Sequence, residues 1–193
     1  MESVLDRVIK QNTENVNLLK TKDYNIFSVL QIQSKEVLIC RMIADLLNPR
    51  GQHGAGAEYL KIFLRDCLGM EKMDTKLADQ AIVTAEYAID DERRIDIVIE
   101  IGSYFLPIEV KIYAADQKSQ CFDYYQYAKR RDAQAKVYYL TLDGHRPGKD
   151  STSSGSQSVQ EEDIVCLSFR EHILNWLKAC KNCENTGMIP ILE

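Results

Sequence analysis

Hydrophobic residues recur at helical spacing in the first third of the chain. In the segment SKEVLICRMIADLL (34–47), apolar positions repeat three and four residues apart, and Ser34 stands where an N-cap is expected. The same criteria predict a second helix over 57–68, closed by Gly69, and an earlier helix near 3–20. This part of the chain is therefore predicted to be helical.

Alternation of apolar and polar positions then replaces the helical spacing. Three runs rich in Ile, Val and aromatic residues follow one another, separated by short polar turns, which predicts a meander of antiparallel strands. A helix, two further strands and a last helix complete the pattern, so the fold class is α/β or α+β, with a mixed central sheet flanked by helices. The predicted elements are strands over 81–89, 94–101, 105–113, 136–142 and 164–169, with helices over 116–131 and 170–181.

A Gly- and Ser-rich segment, 143–163, interrupts this pattern. The strands on either side of it read as members of one sheet, so we expect a mobile surface loop within a single domain over 1–193. The abrupt ending in IPILE leaves open that the chain is truncated at its C-terminus.

Composition and charge narrow the class of protein. The 193 residues are 45% hydrophobic and 27% charged, which is typical of a globular domain and not of a disordered chain. We find no apolar run long enough for a membrane span and no signal peptide, and the cysteines lie scattered in apolar segments, so we expect a cytoplasmic protein without a membrane partner. The net charge of −5 argues against bulk attraction to nucleic acid but not against an enzyme with a local basic surface.

The turn Gly102-Ser103 predicts which residues face each other in the second and third strands. A two-residue loop with Gly first suits a type II′ hairpin in which Ile101 faces Tyr104. In that register Asp96 lies opposite Glu109, and Lys111 shares their side of the sheet. Pro107 is the residue that could shift the register by introducing a bulge. The other side of the hairpin is predicted to hold Ile95, Ile97, Ile99, Ile108, Val110 and Ile112.

Opposed carboxylates on adjacent strands repel each other unless a cation lies between them. Mg²⁺ or Mn²⁺ would resolve the conflict between Asp96 and Glu109, because these ions prefer oxygen ligands and leave positions for water and phosphate. Lys111 could then orient the water or neutralise charge on the phosphate. The alternative is a solvent-facing strand surface with an ordinary cross-strand ion pair.

Three segments carry a resemblance to a known family. RRIDIVIEIGSYFLPIEVKI resembles the core of the PD-(D/E)XK nuclease superfamily, in which an Asp on one strand and Glu-x-Lys on the next form the catalytic centre. Gln120 and Tyr124 resemble the Gln-x-x-x-Tyr signature of its RecB-like members. SKEVLICRMIADLLNPRGQHG resembles the N-terminal helix and loop of a bacterial branch. The resemblance implies a restriction-endonuclease-like core.

Catalytic roles follow from the resemblance. It implies that Asp96 and Glu109 are metal ligands and that Lys111 positions water or stabilises charge. Glu36 matches an acid that such families place on the first helix, and it is either a further metal ligand or an acid that favours the helix dipole. Gln120 and Tyr124 are expected to line the site, the alternative being a packed helix face.

Two further residues are candidates for substrate contact. Arg94 belongs to the basic pair before Asp96, and His53 lies in the loop after the first long helix; a solvated surface and a loop-stabilising role are the respective alternatives. Glu86 is either a second metal ligand or a solvated strand residue.

The predicted function is that of a metal-dependent nuclease that hydrolyses phosphodiester bonds of nucleic acid, with DNA as the expected substrate. The alternatives are a catalytically silent module of the same fold that binds nucleic acid or a protein partner, and a structural domain with an incidental charged face. A homodimer is possible.

Overall fold

The computed structural model describes residues 35–71 and 73–183. In it the chain folds into a mixed β-sheet with helices on both faces. All of these residues belong to one compact unit that begins at Lys35. The strands are β1 Ile82–Ala88, β2 Arg94–Ile101, β3 Tyr104–Lys111, β4 Val137–Thr141, β5 Ser153–Ser154, β6 Gln157–Ser158 and β7 Ile164–Ser168. The helices are α1 Glu36–Leu47, α2 Glu58–Asp66, α3 Thr75–Ala78, α4 Gln120–Arg131, α5 Lys149–Thr152 and α6 Leu174–Lys181, with a 3-10 turn Glu161–Asp163 and a π-turn Phe169–Ile173.

The strand order β1-β2-β3-β4-β7 confirms the predicted mixed sheet. Short turns join β1, β2 and β3 into an antiparallel meander. The crossover through α4 makes β4 parallel to β3, and β7 is parallel to β4. The carboxyl ends of β3 and β4 therefore meet at the edge of the sheet where β2 begins.

The β2–β3 hairpin has the predicted register from its turn as far as Ile97 and Ile108, where the ladder ends, so the predicted pairing of Asp96 with Glu109 is not formed. Ile101 faces Tyr104, and the pairing continues in step to Ile97 and Ile108. Gly102 has φ 58, as the first position of a type II′ turn requires. Pro107 does not disturb the register, because it faces Val98 at a position where neither strand bonds to the other.

Both faces of the sheet are buried, so the alternative of a solvent-facing side on this hairpin is wrong. One cluster packs α1, α2 and α6 against Ile97, Ile99 and Ile108. The opposite face is covered by α4, whose Tyr124 packs in a second cluster with Val98 and Phe105.

The prediction that Ile95 lies on the same face as Ile97 is wrong, since Ile95 belongs to the second cluster. Regular alternation fails at Asp96, which has no register partner in either neighbouring strand. Glu86, the β1 residue that would face it, has a left-handed backbone with φ 54. The break in the ladder turns Ile95 to the other side.

Several helix boundaries differ from the predictions. α1 begins at Glu36 with Lys35 as its N-cap, whereas Ser34, the helix over 3–20 and the C-terminal residues 184–193 lie outside the described residues. α4 begins at Gln120 rather than 116, because Ser119 before it adopts φ 57. None of the helices within the described ranges is long and apolar enough to cross a membrane.

The segment 143–163, predicted to be a mobile surface loop, contains α5, the small β5–β6 hairpin and the 3-10 turn. Its Ser151 is buried and accepts the N–H of Cys121, while Ser119 donates its N–H to the carbonyl of Asp150. These bonds attach the segment to the start of α4. Its mobility stays a prediction.

Candidate active site

The predicted acidic residues meet at the edge of the sheet where β2 begins and β3 ends. Asp96 is the third residue of β2, and Glu109 and Lys111 are at the end of β3, so the antiparallel pairing brings them together. α4 packs against the face of the sheet that carries these residues, and Glu36 at the start of α1 contacts the chain just after β3. Hydrophobic packing on both faces thus holds the charged groups in place.

Asp96 occupies the break in the β2–β3 ladder. Its Oδ2 accepts the N–H of Val110 at 2.8 Å, a bond that the main chain of Ile95 would receive in an uninterrupted ladder. Burial raises the pKa of Asp96, although this backbone bond and the charge of Lys111 oppose the shift. The carboxylate is thereby oriented by the backbone of β3.

Glu109 is 1% exposed and has an unusual environment for a carboxylate. Its Oε1 accepts a hydrogen bond from Lys111 Nζ, whereas its Oε2 is buried without a hydrogen-bond partner within the described part of the chain. Burial, followed by the charge of the Asp96 carboxylate, raises the pKa of Glu109 well above its usual value. A buried oxygen without a partner costs about 1–3 kcal/mol, more for a charged group. A cation or a proton bound at this oxygen would remove that cost.

Lys111 is nearly buried between the acids. Burial by itself would lower its pKa, but the charge and hydrogen bond of Glu109 outweigh burial, so the pKa is raised and the ammonium form persists. A buried ammonium of this kind can stabilise negative charge on a neighbouring group.

The donor set suits a hard divalent cation. Asp96 and Glu109 interact directly, and carboxylates that share a site repel each other unless a proton or cation lies between them. No group of three His, Cys, Asp or Glu side chains in residues 35–71 and 73–183 has an arrangement that could hold a metal ion. A pair of carboxylates with remaining positions left to water and phosphate is nevertheless typical of Mg²⁺ in phosphoryl-transfer sites.

Glu36, the predicted third metal ligand, caps the chain that leaves β3. Its Oε1 accepts from the N–H groups of Ile112 at 2.5 Å, Tyr113 at 2.6 Å and Ala114 at 3.1 Å. Burial opposes the shift, but these bonds and the charge of Lys111 lower the pKa of Glu36. Glu36 thus stands close to the site, and its role as a ligand stays a prediction.

Gln120 and Tyr124 are both buried on the α4 face above the carboxylates. Gln120 Nε2 donates to the Tyr124 hydroxyl at 3.0 Å, and that hydroxyl donates to the carbonyl of Arg94 at 2.5 Å. The pair therefore anchors the start of β2, next to Asp96. This arrangement indicates a positioning role at the site.

Arg93 is a residue of the site region that sequence reasoning missed. Its guanidinium bonds Asp123 at 3.0 Å, Gln117 at 2.9 Å and the carbonyl of Lys118 at 2.6 Å, which ties the start of β2 to α4 and the segment before it. In the sequence Arg93 and Arg94 form a basic pair, and nothing local indicates which of the two side chains is internal. Its neighbour Arg94, the predicted substrate contact, is exposed.

His53 does not fit the predicted contact with substrate. It is 2% exposed and stacks on Tyr59, with ring centroids 4.7 Å apart. One ring nitrogen lies 3.0 Å from the carbonyl of Asn48 and the other accepts the N–H of Ala55 at 3.1 Å, so both are used within the loop. The geometry supports the loop-stabilising alternative.

Glu86, considered as a second metal ligand, forms an ion pair with Arg41 of α1, with an N–O distance of 2.6 Å. Its left-handed backbone lies opposite Asp96 in the sheet. Such strained conformations cost about 1–3 kcal/mol and cluster at functional sites. In this structure the Glu86 carboxylate faces α1.

The family of the chain follows from comparison with known proteins. A family model described as PD-(D/E)XK nuclease superfamily matches residues 24–189. The chain belongs to the PD-(D/E)XK nuclease superfamily. Comparison with curated proteins and with solved structures gave no significant match. Membership of the PD-(D/E)XK superfamily confirms the resemblance seen in the sequence, supports a nuclease-type function in general, and agrees with the restriction-endonuclease-like arrangement of the sheet and helices.

Proposed function

We propose that this protein is a metal-dependent nuclease that hydrolyses phosphodiester bonds of nucleic acid, with DNA as the expected substrate. The observation that carries the proposal is Glu109 Oε2, a buried carboxylate oxygen without a partner in the described chain, beside a second carboxylate from Asp96. A fold that needed these groups for stability alone would pair both oxygens. The scattered, reduced cysteines support action in the cytoplasm.

Asp96 and Glu109 would hold Mg²⁺ or Mn²⁺, whereas Glu36 lies nearby without forming a three-ligand group with them in the described residues. When bound, such an ion polarises a phosphoryl oxygen and lowers the pKa of a bound water. The chain contributes the orientation of its ligands: Val110 fixes Asp96, and Lys111 fixes Glu109.

Lys111 has a second role in this proposal. Its ammonium adds a positive charge where the pentavalent phosphorus centre accumulates negative charge, in surroundings that exclude most water. Tyr124 and Gln120 keep the start of β2 in register with β3, so that Asp96 and Lys111 keep their separation. Small errors in such placement cost large factors in rate.

Thermal unfolding with and without metal tests the proposed centre independently of substrate. Millimolar Mg²⁺ or Mn²⁺ should raise the melting temperature, because a ligand of the folded state stabilises it by about 2.7 kcal/mol at one hundred times its Kd. The shift should vanish in Asp96→Asn. Glu100→Gln, an isosteric change on the same strand where Glu100 pairs with Arg131, is the matched control and should keep the shift. An equal shift in wild type and Asp96→Asn would contradict the proposed ligands.

A further inference from the structure

The loop that follows β4 lies beside the proposed active site. Lys111 and Thr141 are register partners at the carboxyl ends of β3 and β4, and neighbouring strands are about 4.8 Å apart. Crevices beyond the carboxyl ends of parallel strands are a common location for ligands. The residues after Thr141 therefore border the place where a phosphodiester would enter.

Hydrogen bonds fix the conformation of this loop. Gly144 donates its N–H to Thr141 Oγ1 at 2.8 Å, and the same hydroxyl lies 3.4 Å from Asp143 Oδ1. Gly144 has φ 85, and a Cβ at this position would lie 3.3 Å from Ser168 Cβ, so the turn requires glycine. Further along, Gly148 donates its N–H to Asp116 at 2.6 Å.

Within this fixed loop, a carboxylate orients an exposed imidazole. Asp143 Oδ1 lies 2.6 Å from His145 Nδ1, and the hydrogen bond from His145 lowers the pKa of Asp143. The His145 ring also packs edge-on against Tyr139, at 6.1 Å between centroids, and Tyr139 is the register partner of Glu109. The Nε2 atom of His145 has no hydrogen-bond partner among the described residues, and the side chain is 59% exposed.

Cationic groups near this edge differ in their availability to a substrate. Lys111 is nearly buried against Glu109, and Arg93 is tied to Asp123. Arg94 is exposed at the start of β2, on one side of β3, and His145 follows β4 on the other side. A nucleic-acid strand cleaved at the carboxylates has phosphates on both sides of the broken bond, and contacts to such phosphates fix its register.

We propose that His145, oriented by Asp143, donates a hydrogen bond from Nε2 to a backbone phosphate of the nucleic acid adjacent to the phosphate that is cleaved. The inference rests on the proposed function. In the imidazolium form both ring nitrogens donate, so Nδ1 can bind Asp143 while Nε2 binds the phosphate. His145 is thereby a substrate-contacting residue that leaves the proposed metal ligands unchanged.

Steady-state cleavage and binding of a DNA oligonucleotide test this contact. His145→Ala should raise KM about tenfold and leave kcat within about twofold, because a phosphate contact away from the bond that breaks binds ground state and transition state alike. The slope of log K against log salt should fall by about 0.7–0.9, as expected for one lost phosphate contact. His145→Lys should restore binding, since an ammonium can also donate to phosphate.

Arg130→Ala is the matched control. Arg130 is an exposed cation at the far end of α4, stacked on Tyr127 and remote from the carboxyl ends of β3 and β4. If His145→Ala and Arg130→Ala change KM and the salt slope equally while the wild type cleaves, the phosphate contact is refuted and the nuclease proposal stands. A fall in kcat in His145→Ala that His145→Lys does not restore would also overturn the phosphate contact, in favour of proton transfer by His145. A wild type that neither binds nor cleaves nucleic acid would overturn both proposals.

Discussion

Glu109→Gln should stabilise the metal-free protein at alkaline pH. The substitution keeps the shape of the side chain and an oxygen that can accept from Lys111, but it removes a buried charge beside Asp96. The carboxylates of Asp96 and Glu109 together exceed the charge of the Lys111 ammonium. Neutralising Glu109 leaves a balanced pair.

The expected gain follows from the raised pKa of Glu109. A carboxyl whose pKa is higher in the folded than in the unfolded state binds its proton more tightly when folded, so the free energy of unfolding falls as the pH rises from about 4.3 through the folded pKa. Each unit of difference costs about 1.4 kcal/mol above that range. We expect Glu109→Gln to recover about 1–3 kcal/mol at pH 8, within the range found when buried ionic groups are replaced by neutral groups of similar volume.

Urea denaturation in EDTA at pH 5.5 and pH 8 measures this difference. The wild type should lose stability between the two values, and Glu109→Gln should lose less, with part of the slope remaining because the pKa of Asp96 is also raised. Glu100→Gln should follow the wild type. A Glu109→Gln variant that is less stable than the wild type at pH 8, or that keeps the full pH dependence of stability, would show that the charge of Glu109 does not destabilise the folded protein.

Further substitutions test individual contacts. Tyr124→Phe keeps the packed ring but removes its bond to the carbonyl of Arg94, and should lower the free energy of unfolding by about 1–2 kcal/mol in urea titrations and reduce cleavage; unchanged stability would argue against the anchoring role. Glu36→Gln should cost about 1–2 kcal/mol at pH 7, a difference present above the unfolded pKa and lost as the pH falls through the lowered folded pKa; equal costs at pH 7 and pH 2.5 would contradict this. Gly51→Ala places a Cβ 2.2 Å from the carbonyl of Asp45 and should lower the melting temperature by several degrees, an effect that differential scanning calorimetry can detect.

The sequence was sufficient for the meander and its register because local chemistry determines both. A glycine-first two-residue turn and alternating Ile residues specify which residues face each other, and the predicted pairing of Ile101 with Tyr104 is confirmed. The family resemblance was confirmed as well, and its Asp and Glu-x-Lys residues lie in these strands.

Features that depend on distant contacts could not be predicted in this way. Alternation places Ile95 with Ile97, and nothing local reveals that the ladder breaks at Asp96 or that α4 buries the charged face. His53 likewise reads as a polar loop residue until its stacking on Tyr59 is known. The roles of Glu36 as a backbone cap and of Arg93 as an anchor rest on partners far away in the sequence.

Metal-dependent cleavage by matched proteins is the most direct measure of nuclease activity at this centre. Purified wild type, Lys111→Ala and the control Glu100→Gln would be incubated with single-stranded and duplex DNA and RNA, in Mg²⁺, in Mn²⁺ and in EDTA. We expect cleavage by wild type and control in the presence of metal, none in EDTA, and a loss of at least about one hundredfold in Lys111→Ala, as for other groups that stabilise developing charge. Cleavage that persists at the wild-type rate in Lys111→Ala, or binding of nucleic acid without cleavage by the wild type under every condition, would contradict this expectation.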